Sequence, residues 1–340
     1  MKAAVLTKKG KGQDVFKIQD IDKPTINEGE ALLKVEAFGL NFADVMARNG
    51  LYRAAPPMPS VLGYEVVGTI EEIKGEHEFK VGDRVLAFTR FGGYAEYAKA
   101  DLRTMVEVKP DEDTGELLAL GAQGATAWYA AFFNINVIPG DNVLIHSGAG
   151  GVGSMLIQML QNLEVNIYST AGSDEKCKLL EEQGVLKAFN YKDDNYWTEI
   201  NQLIGDKNLQ VIFDAVGGKT FKNGLNSLSA GGKMITYGAA YRTKSSSSFF
   251  TNVKMLFQFG FTNPLFLMMN SRTICGVNML KLGDDRPEVL NICMNEVLNM
   301  YRQGLIKPQV HGLFPLEVIG KVHDDLENRK VIGKAGIIIN

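Results

Sequence analysis

The stretch Val143-Leu144-Ile145-His146-Ser147-Gly148-Ala149-Gly150-Gly151-Val152-Gly153 joins an apolar run to a glycine cluster, with a helical pattern directly behind it. The run Val143 to Ile145 suits a strand buried on both faces, and Gly148, Gly150 and Gly153 keep the G-x-G-x-x-G spacing of a dinucleotide turn. Each glycine has its own task. Gly148 permits the tight turn, Gly150 lets the backbone approach a pyrophosphate, and Gly153 lets the next helix pack closely on its strand. Val152, Met155, Leu156, Met159, Leu160 and Leu163 then recur at helical spacing as one apolar face. The free N–H groups at the start of that helix would point at bound phosphate. Glycine-rich turns also arise for geometric reasons alone, so the flanking sequence has to decide.

A second strand signal, Val165 to Ala171, ends roughly 20 residues after the first glycine, where a βαβ unit meets the adenosine ribose. No carboxylate ends it. The strand finishes Tyr168-Ser169-Thr170-Ala171 and runs into Gly172 and Ser173, whereas an NAD site would offer Asp or Glu to the 2′-hydroxyl. Asp174 and Glu175 follow, and acids in a helix's first turn ordinarily serve its dipole. A small, uncharged strand end leaves room for a 2′-phosphate. Lys176 can supply the charge, although an exposed helical lysine is by default a solvated one.

The chain has 340 residues, of which 45% are hydrophobic and 22% charged, enough for two domains with separate cores. With 36 basic against 39 acidic residues and no basic block, neither nucleic acid nor an anionic membrane is favoured as the main partner. Cys177, Cys275 and Cys293 share no C-x-x-C spacing, which argues against a disulfide framework or structural zinc and suits a reducing cytosol. The apolar segment after Met1 is too short for a secretory signal, so a cytoplasmic protein is expected.

From Met1 to about Thr104 the apolar runs are short and set apart by turn residues: Ala3 to Leu6, Phe16 to Ile18, Ala31 to Ala37, Tyr64 to Ile73, Arg84 to Phe88 and Tyr94 to Ala98. This predicts a mainly antiparallel, partly closed barrel. One short helix interrupts it, capped by Asn41, with Phe42, Val45 and Met46 on one face and Gly50 as its stop. Past Asp111, helices alternate with apolar strands at Val143 to His146, Asn166 to Thr170, Ala188 to Tyr191, Val211 to Val216, Gly232 to Tyr237 and Thr273 to Val277. Alternation of this kind predicts an α/β fold with a parallel, doubly wound Rossmann sheet. Helical faces are read at Trp197, Ile200 and Ile204, at Phe221, Leu225 and Leu228, and from Pro287 to Gly304. The closing run Lys334 to Ile339 has no place in a completed six-stranded sheet and returns to the first domain. The expected domains are therefore 1–122 with 277–340, and 123–276.

The stretches Gly39-Leu40-Asn41-Phe42-Ala43-Asp44 through Gly50-Leu51-Tyr52, Leu62-Gly63-Tyr64-Glu65-Val66-Val67-Gly68, Val81-Gly82-Asp83-Arg84-Val85, Gly93-Tyr94-Ala95-Glu96-Tyr97, Ala125-Thr126-Ala127, His146 to Gly153, Asp214-Ala215-Val216-Gly217-Gly218 and Gly333-Lys334 together resemble the medium-chain dehydrogenase/reductases. Within that superfamily they are similar to the zinc-independent quinone oxidoreductases. The Asn41-Phe42-Ala43-Asp44 string, Met46-Ala47-Arg48 and the apolar segment before Thr273 look most like the branch named for a synaptic vesicle amine transport protein homologue. The resemblance implies a GroES-like barrel domain plus a Rossmann domain, NADPH as cofactor, and a homodimer paired through the nucleotide domain. Carried over by position, it implies cofactor contacts at Asn41, Thr126, Ser147, Gly148, Gly150, Gly151, Val152 and Gly153. It places Thr170, Ser173, Lys176 and Tyr191 around the ribose phosphate, and adds Val216, Gly238, Asn278 and Lys334.

Zinc-dependent relatives hold their catalytic metal with cysteine and histidine, and here Asn41 and Tyr64 stand at those places. Neutral amide and phenol are poor zinc ligands. Without a metal the acceptor has to be polarised by hydrogen bonds, which favours quinones and α,β-unsaturated carbonyls as small-molecule substrates. Asn41 and Tyr52 are the candidate donors to the substrate oxygen, with Tyr64 as a third. Against this, Asn41 can serve only as a cap and Tyr52 only as packing. A membrane- or vesicle-associated scaffold retaining the fold without catalysis is the alternative. Arg242 to Met269 is too broken to cross a bilayer, and can be a lid over the nicotinamide end, a buried interface, or a peripheral membrane contact.

Overall fold

The computed structural model describes residues 1–239 and 263–339. They form two compact units, Met1–Ala125 with Met279–Asn340, and Thr126–Asn278. Most of the expected lid segment, Arg242 to Met269, lies outside the described residues. What is described of it is the helix Pro264–Asn270, opened by Asn263 Oδ1 accepting from Leu265 N at 2.9 Å. Phe266 and Leu267 pack on the core of the second unit, while Leu265, Met268 and Met269 are exposed. Among the described residues no helix is long and apolar enough to cross a membrane.

The first unit is organised by the eleven-residue strand Glu30–Leu40. It pairs antiparallel with Glu65–Lys74 on one side. Its other side is shared, Glu30 to Lys34 against Tyr97–Asp101 and Ala37 to Leu40 against Lys334–Ile338. Irregularities at Leu32/Leu33 and Val35/Ala37 accompany this change of partner, as bulges that bend a strand do. The sheet continues through Arg84–Phe88 to Met105–Glu107 at one side and ends at Val310–Pro315 on the other. Lys2–Leu6 lies between Phe16–Asp20 and Ser60–Val61 in a smaller sheet. Leu33, Val35, Phe38, Leu40, Val66, Ile70 and Val85 fill the core. Two expectations shift. The run beginning at Tyr94 joins the ladder only from Tyr97 and continues to Asp101, and Val310–Pro315 pairs parallel with Lys334–Ile338 in an otherwise antiparallel sheet.

The second unit holds six parallel strands in the spatial order Lys187–Asn190, Asn166–Ala171, Asn142–Ile145, Leu209–Asp214, Leu228–Thr236, Thr273–Gly276. This is the doubly wound order, with its reversal between Asn142–Ile145 and Leu209–Asp214. Leu228, expected on a helix, instead begins a strand. It pairs with Leu209 ahead of a register irregularity, because the helix stops at Ser227. Since all six strands run the same way, every strand-end turn of this sheet falls on one edge. That edge carries the turns at Ser147–Gly153, Gly172–Ser173 and Val216.

Candidate active site

In the α/β unit the turn after Asn142–Ile145 is held from the neighbouring strand. Gly148 N donates to the Thr170 carbonyl at 3.0 Å, and Ser147 N to Thr170 Oγ1 at 3.3 Å. His146 Nδ1 lies 3.1 Å from the same hydroxyl. Thr170 is fully buried, so its hydroxyl shapes the turn from within. Burial also lowers the pKa of His146, which favours the neutral ring, and its Nε2 has no partner among the described residues. Ser147 adopts a left-handed φ of 61°, uncommon for a residue with a side chain.

The glycines divide their labour on visible grounds. A Cβ on Gly148 would overlap Ser169 Oγ, and one on Gly153 would lie 2.5 Å from the Ser147 carbonyl oxygen and 2.8 Å from Gly148 Cα. At Gly150 the only neighbour within contact distance among the described residues would be that same carbonyl oxygen at 3.2 Å. The helix Gly151–Leu160 starts there without a side-chain cap. A backbone cradle with one open side and uncapped N–H groups fits a pyrophosphate.

At the next strand end, Ser173 caps the helix Asp174–Glu182 by accepting from Lys176 N at 3.4 Å. A Cβ on Gly172 would overlap the Tyr191 hydroxyl, so Tyr191 reaches the turn from which Ser173 and Lys176 start the helix. Glu175 is held below its ordinary range chiefly by its hydrogen bond with Ser173, and Asp174 accepts from Asn190 Nδ2. Val216 lies in a turn organised by Asp214, a fully buried carboxylate that accepts from Val216 N at 2.8 Å, Gly217 N at 3.0 Å and Thr220 Oγ1 at 3.1 Å. Gly238 presses on the Ala215 carbonyl, where a Cβ would overlap. Thr126 opens this unit and Asn278 closes it, just beyond the strand Thr273–Gly276.

In the barrel unit Asn41 is the N-cap of the helix Phe42–Arg48. Its backbone N–H donates to Asp44 Oδ2 at 2.9 Å. Its side chain is engaged elsewhere: Nδ2 donates to Glu65 Oε1 at 2.8 Å, and Oδ1 accepts from Lys334 Nζ at 3.0 Å. Lys334 and Glu65 form an ion pair with both side chains wholly buried. Lys334 is thus joined to Asn41, while Thr126, Ser147, Thr170, Lys176 and the rest of the expected cofactor set belong to the other unit.

Tyr64 and Tyr52 sit edge to face with centroids 6.2 Å apart, and Phe91 lies 5.1 Å from Tyr64. Burial, then the charge of Asp44, raises both phenols, so they remain protonated hydrogen-bond donors. Tyr64 is 4% exposed, and its hydroxyl interacts with that of Tyr52. Burial likewise pushes the Asp44 carboxyl up to about 7. Sequence reasoning missed Glu65, Asp44 and Asp214 as site-building residues. The available signal was a lone charge embedded in each apolar run.

Residues 27–142 match the alcohol dehydrogenase GroES-like domain, and residues 151–295 the family described as zinc-binding dehydrogenase. The synaptic vesicle membrane protein VAT-1 homolog of Danio rerio is 33% identical over 337 residues, spanning 98% of this chain and 69% of that protein. The chain belongs to the medium-chain dehydrogenase/reductase superfamily, among its quinone oxidoreductases. The quinone oxidoreductase of Rattus norvegicus is 30% identical over 331 residues, covering 96% of this chain and 94% of the relative. A mycobacterial protein solved in complex with NADPH superposes with a TM-score of 0.86 at 29% identity, over the full length of both chains.

The zinc in one family description does not fit the donors present. Asn41 Oδ1, which a metal would need, already accepts from an ammonium. The other ligand position is a phenol held protonated. Among the described residues no group of three His, Cys, Asp or Glu side chains is placed to hold a metal ion.

Proposed function

We propose that this chain is an NADPH-dependent, zinc-independent reductase that passes hydride to a quinone or an α,β-unsaturated carbonyl. The observation that carries the reading is the cradle at Gly150, open on one side and framed by uncapped helix N–H groups. NADPH, when bound, supplies the hydride. The chain's own residues do the rest. Gly148, Gly150, Gly151, Val152 and Gly153 receive the pyrophosphate on backbone N–H groups, while Ser173, Lys176 and Tyr191 take the 2′-phosphate. Asn41, Tyr52 and Tyr64 face the acceptor oxygen, where negative charge grows as hydride arrives. The buried, protonated Tyr64 phenol supports that assignment, because an O–H donor held in a desolvated place stabilises charge growing on a substrate oxygen.

The test is NADPH oxidation by the full chain with 9,10-phenanthrenequinone, a para-quinone and an enone, before and after exhaustive chelation. Turnover of at least one acceptor, unchanged by chelation, is expected. Measured NADPH binding without turnover of any acceptor would replace this reading with that of a non-catalytic scaffold. The same reading takes the protein as a cytoplasmic homodimer acting on small molecules. Light scattering that returns the mass of one chain would remove the dimer from it.

A further inference from the structure

The buried pair of Lys334 and Glu65 has been given room. Gly39 lies on the strand between theirs, and a Cβ there would overlap both the Glu65 carboxylate and the end of the Lys334 side chain. A Cβ on Gly121 would overlap the other face of Glu65, whose Oε2 accepts from Ala122 N. Two glycines, two strand starts and one backbone N–H therefore converge on this pair. Buried ion pairs are seldom more stable than apolar residues of the same volume, so fold stability alone does not account for the arrangement.

What the pair does have is Asn41 between its charges. The two ends of a primary amide are alike in shape, and only the surroundings choose which way it faces. Here the oxygen meets an ammonium at 3.0 Å and the nitrogen meets a carboxylate at 2.8 Å. A flipped amide would set like against like at both ends. With one Nδ2 hydrogen given to Glu65, the direction of the second is fixed as well. Asn41 retains only 8% exposure, so that hydrogen has little freedom to follow solvent.

We propose that Lys334 and Glu65 are positioning residues that hold the Asn41 amide so that its second Nδ2 hydrogen donates to the acceptor oxygen. Lys334 then acts on the acceptor through Asn41 and makes no contact with the cofactor. The inference rests on the reading of Asn41 as a donor. Preorganised donors of this kind need no rearrangement as charge develops, which is where they accelerate reaction.

The experiment measures kcat and KM for 9,10-phenanthrenequinone and the Kd for NADPH in the wild type and four full-length variants, with thermal melts to confirm folding. Asn41→Ala should lose about 100-fold in kcat. Lys334→Met/Glu65→Leu removes both charges together, and should lose a comparable factor while NADPH Kd stays within about twofold. Adding Asn41→Ala to that double variant should cost nothing more, since all three act through one amide. Lys334→Gln/Glu65→Gln keeps a donor for Asn41 Oδ1 and an acceptor for Nδ2, and should recover most of the loss even if the apolar pair folds poorly. Independent, multiplying losses, or a weakened NADPH Kd, would overturn the proposal. If the wild type turns over no acceptor, the hydride-transfer reading fails first. Hydrogen exchange of the Asn41 side-chain amide then decides the positioning: slow in the wild type and at least about tenfold faster in Lys334→Met/Glu65→Leu supports it, and equal rates overturn it.

Discussion

The phosphate end of the α/β unit and the polar centre of the barrel unit are built on opposite principles. At the first, main-chain groups form the site, held by neighbours within one βαβ unit, as with Gly148 N on the Thr170 carbonyl. At the second, side chains form it, and Glu65 and Lys334 are 269 residues apart in the chain. Main-chain N–H groups at a helix start cost little to leave facing a ligand, whereas two buried charges are costly unless each satisfies the other. Substitutions in the barrel centre should therefore register in the fold itself, and substitutions in the turn mainly in what it binds.

The sharpest way to break that contrast is to leave one charge alone. Lys334→Met strands the Glu65 carboxylate at a wholly buried position, and the stability of the chain should fall by about 3–5 kcal/mol. Urea unfolding would measure it, with Lys334→Met/Glu65→Leu recovering most of the loss. A single-variant cost below about 1 kcal/mol would mean that water reaches the pair, and the contrast would lapse.

Asp44 tests the same centre through pH. The native carboxyl holds its proton up to about 7, whereas an unfolded aspartate releases it near 4. Between those values the native state binds more protons, so this group's contribution is fully present below about pH 4 and is lost as pH rises through 7. For a shift of roughly three units the loss reaches about 4 kcal/mol. Asp44→Asn should be less stable than the wild type at pH 5, because its amide opposes the Asn41 and Gly63 N–H donors, and should gain on the wild type by pH 8. Burial lowers the pKa of His146 and His323, and their loss of stability in acid cancels in the difference between the two proteins. A difference in urea midpoint that stays flat from pH 5 to 8 would show that Asp44 is ionised throughout.

On the α/β side the largest effect is expected in cofactor choice. Losing one charged contact to a phosphate costs about 1.5–3 kcal/mol, so Lys176→Ala should weaken NADPH by roughly 10- to 100-fold and leave NADH nearly unchanged. Parallel losses for both cofactors in a fluorescence titration would remove Lys176 from the 2′-phosphate site.

The same contrast explains what could be read from the chain before its structure. Val143 to Gly153 announces itself because strand, turn and helix are contiguous and each carries its own period. The strands Arg84–Phe88 and Lys334–Ile338 were legible as apolar runs for the same reason. The destination of the Lys334 ammonium was not, because no local pattern ties it to Glu65 in a different strand. A carboxylate between Tyr64 and Val66 was a signal that went unused, since a charge in a buried run requires a partner. Leu228 was misassigned because its apolar spacing continued a helical face past the point where the backbone had already turned into a strand.

The smallest effects come from separating the glycines that the fold needs from the one the ligand needs. Gly153→Ala drives a Cβ to 2.5 Å from a backbone oxygen and 2.8 Å from a Cα, where neither neighbour is a flexible side-chain end, and should cost about 1–3 kcal/mol of stability. Gly150 has φ −85° and ψ 167°, which any residue adopts, and a Cβ there would have one contact among the described residues, at 3.2 Å. Gly150→Ala should therefore cost only about 0.5–1 kcal/mol, the ordinary price of alanine at an N-cap. The new methyl would enter the open side of the cradle, so NADPH affinity should fall about tenfold, a change of 1.4 kcal/mol, with the melting curve nearly unmoved. The opposite pattern, a damaged fold with NADPH affinity intact in the surviving protein, would show that the open side faces something other than the pyrophosphate.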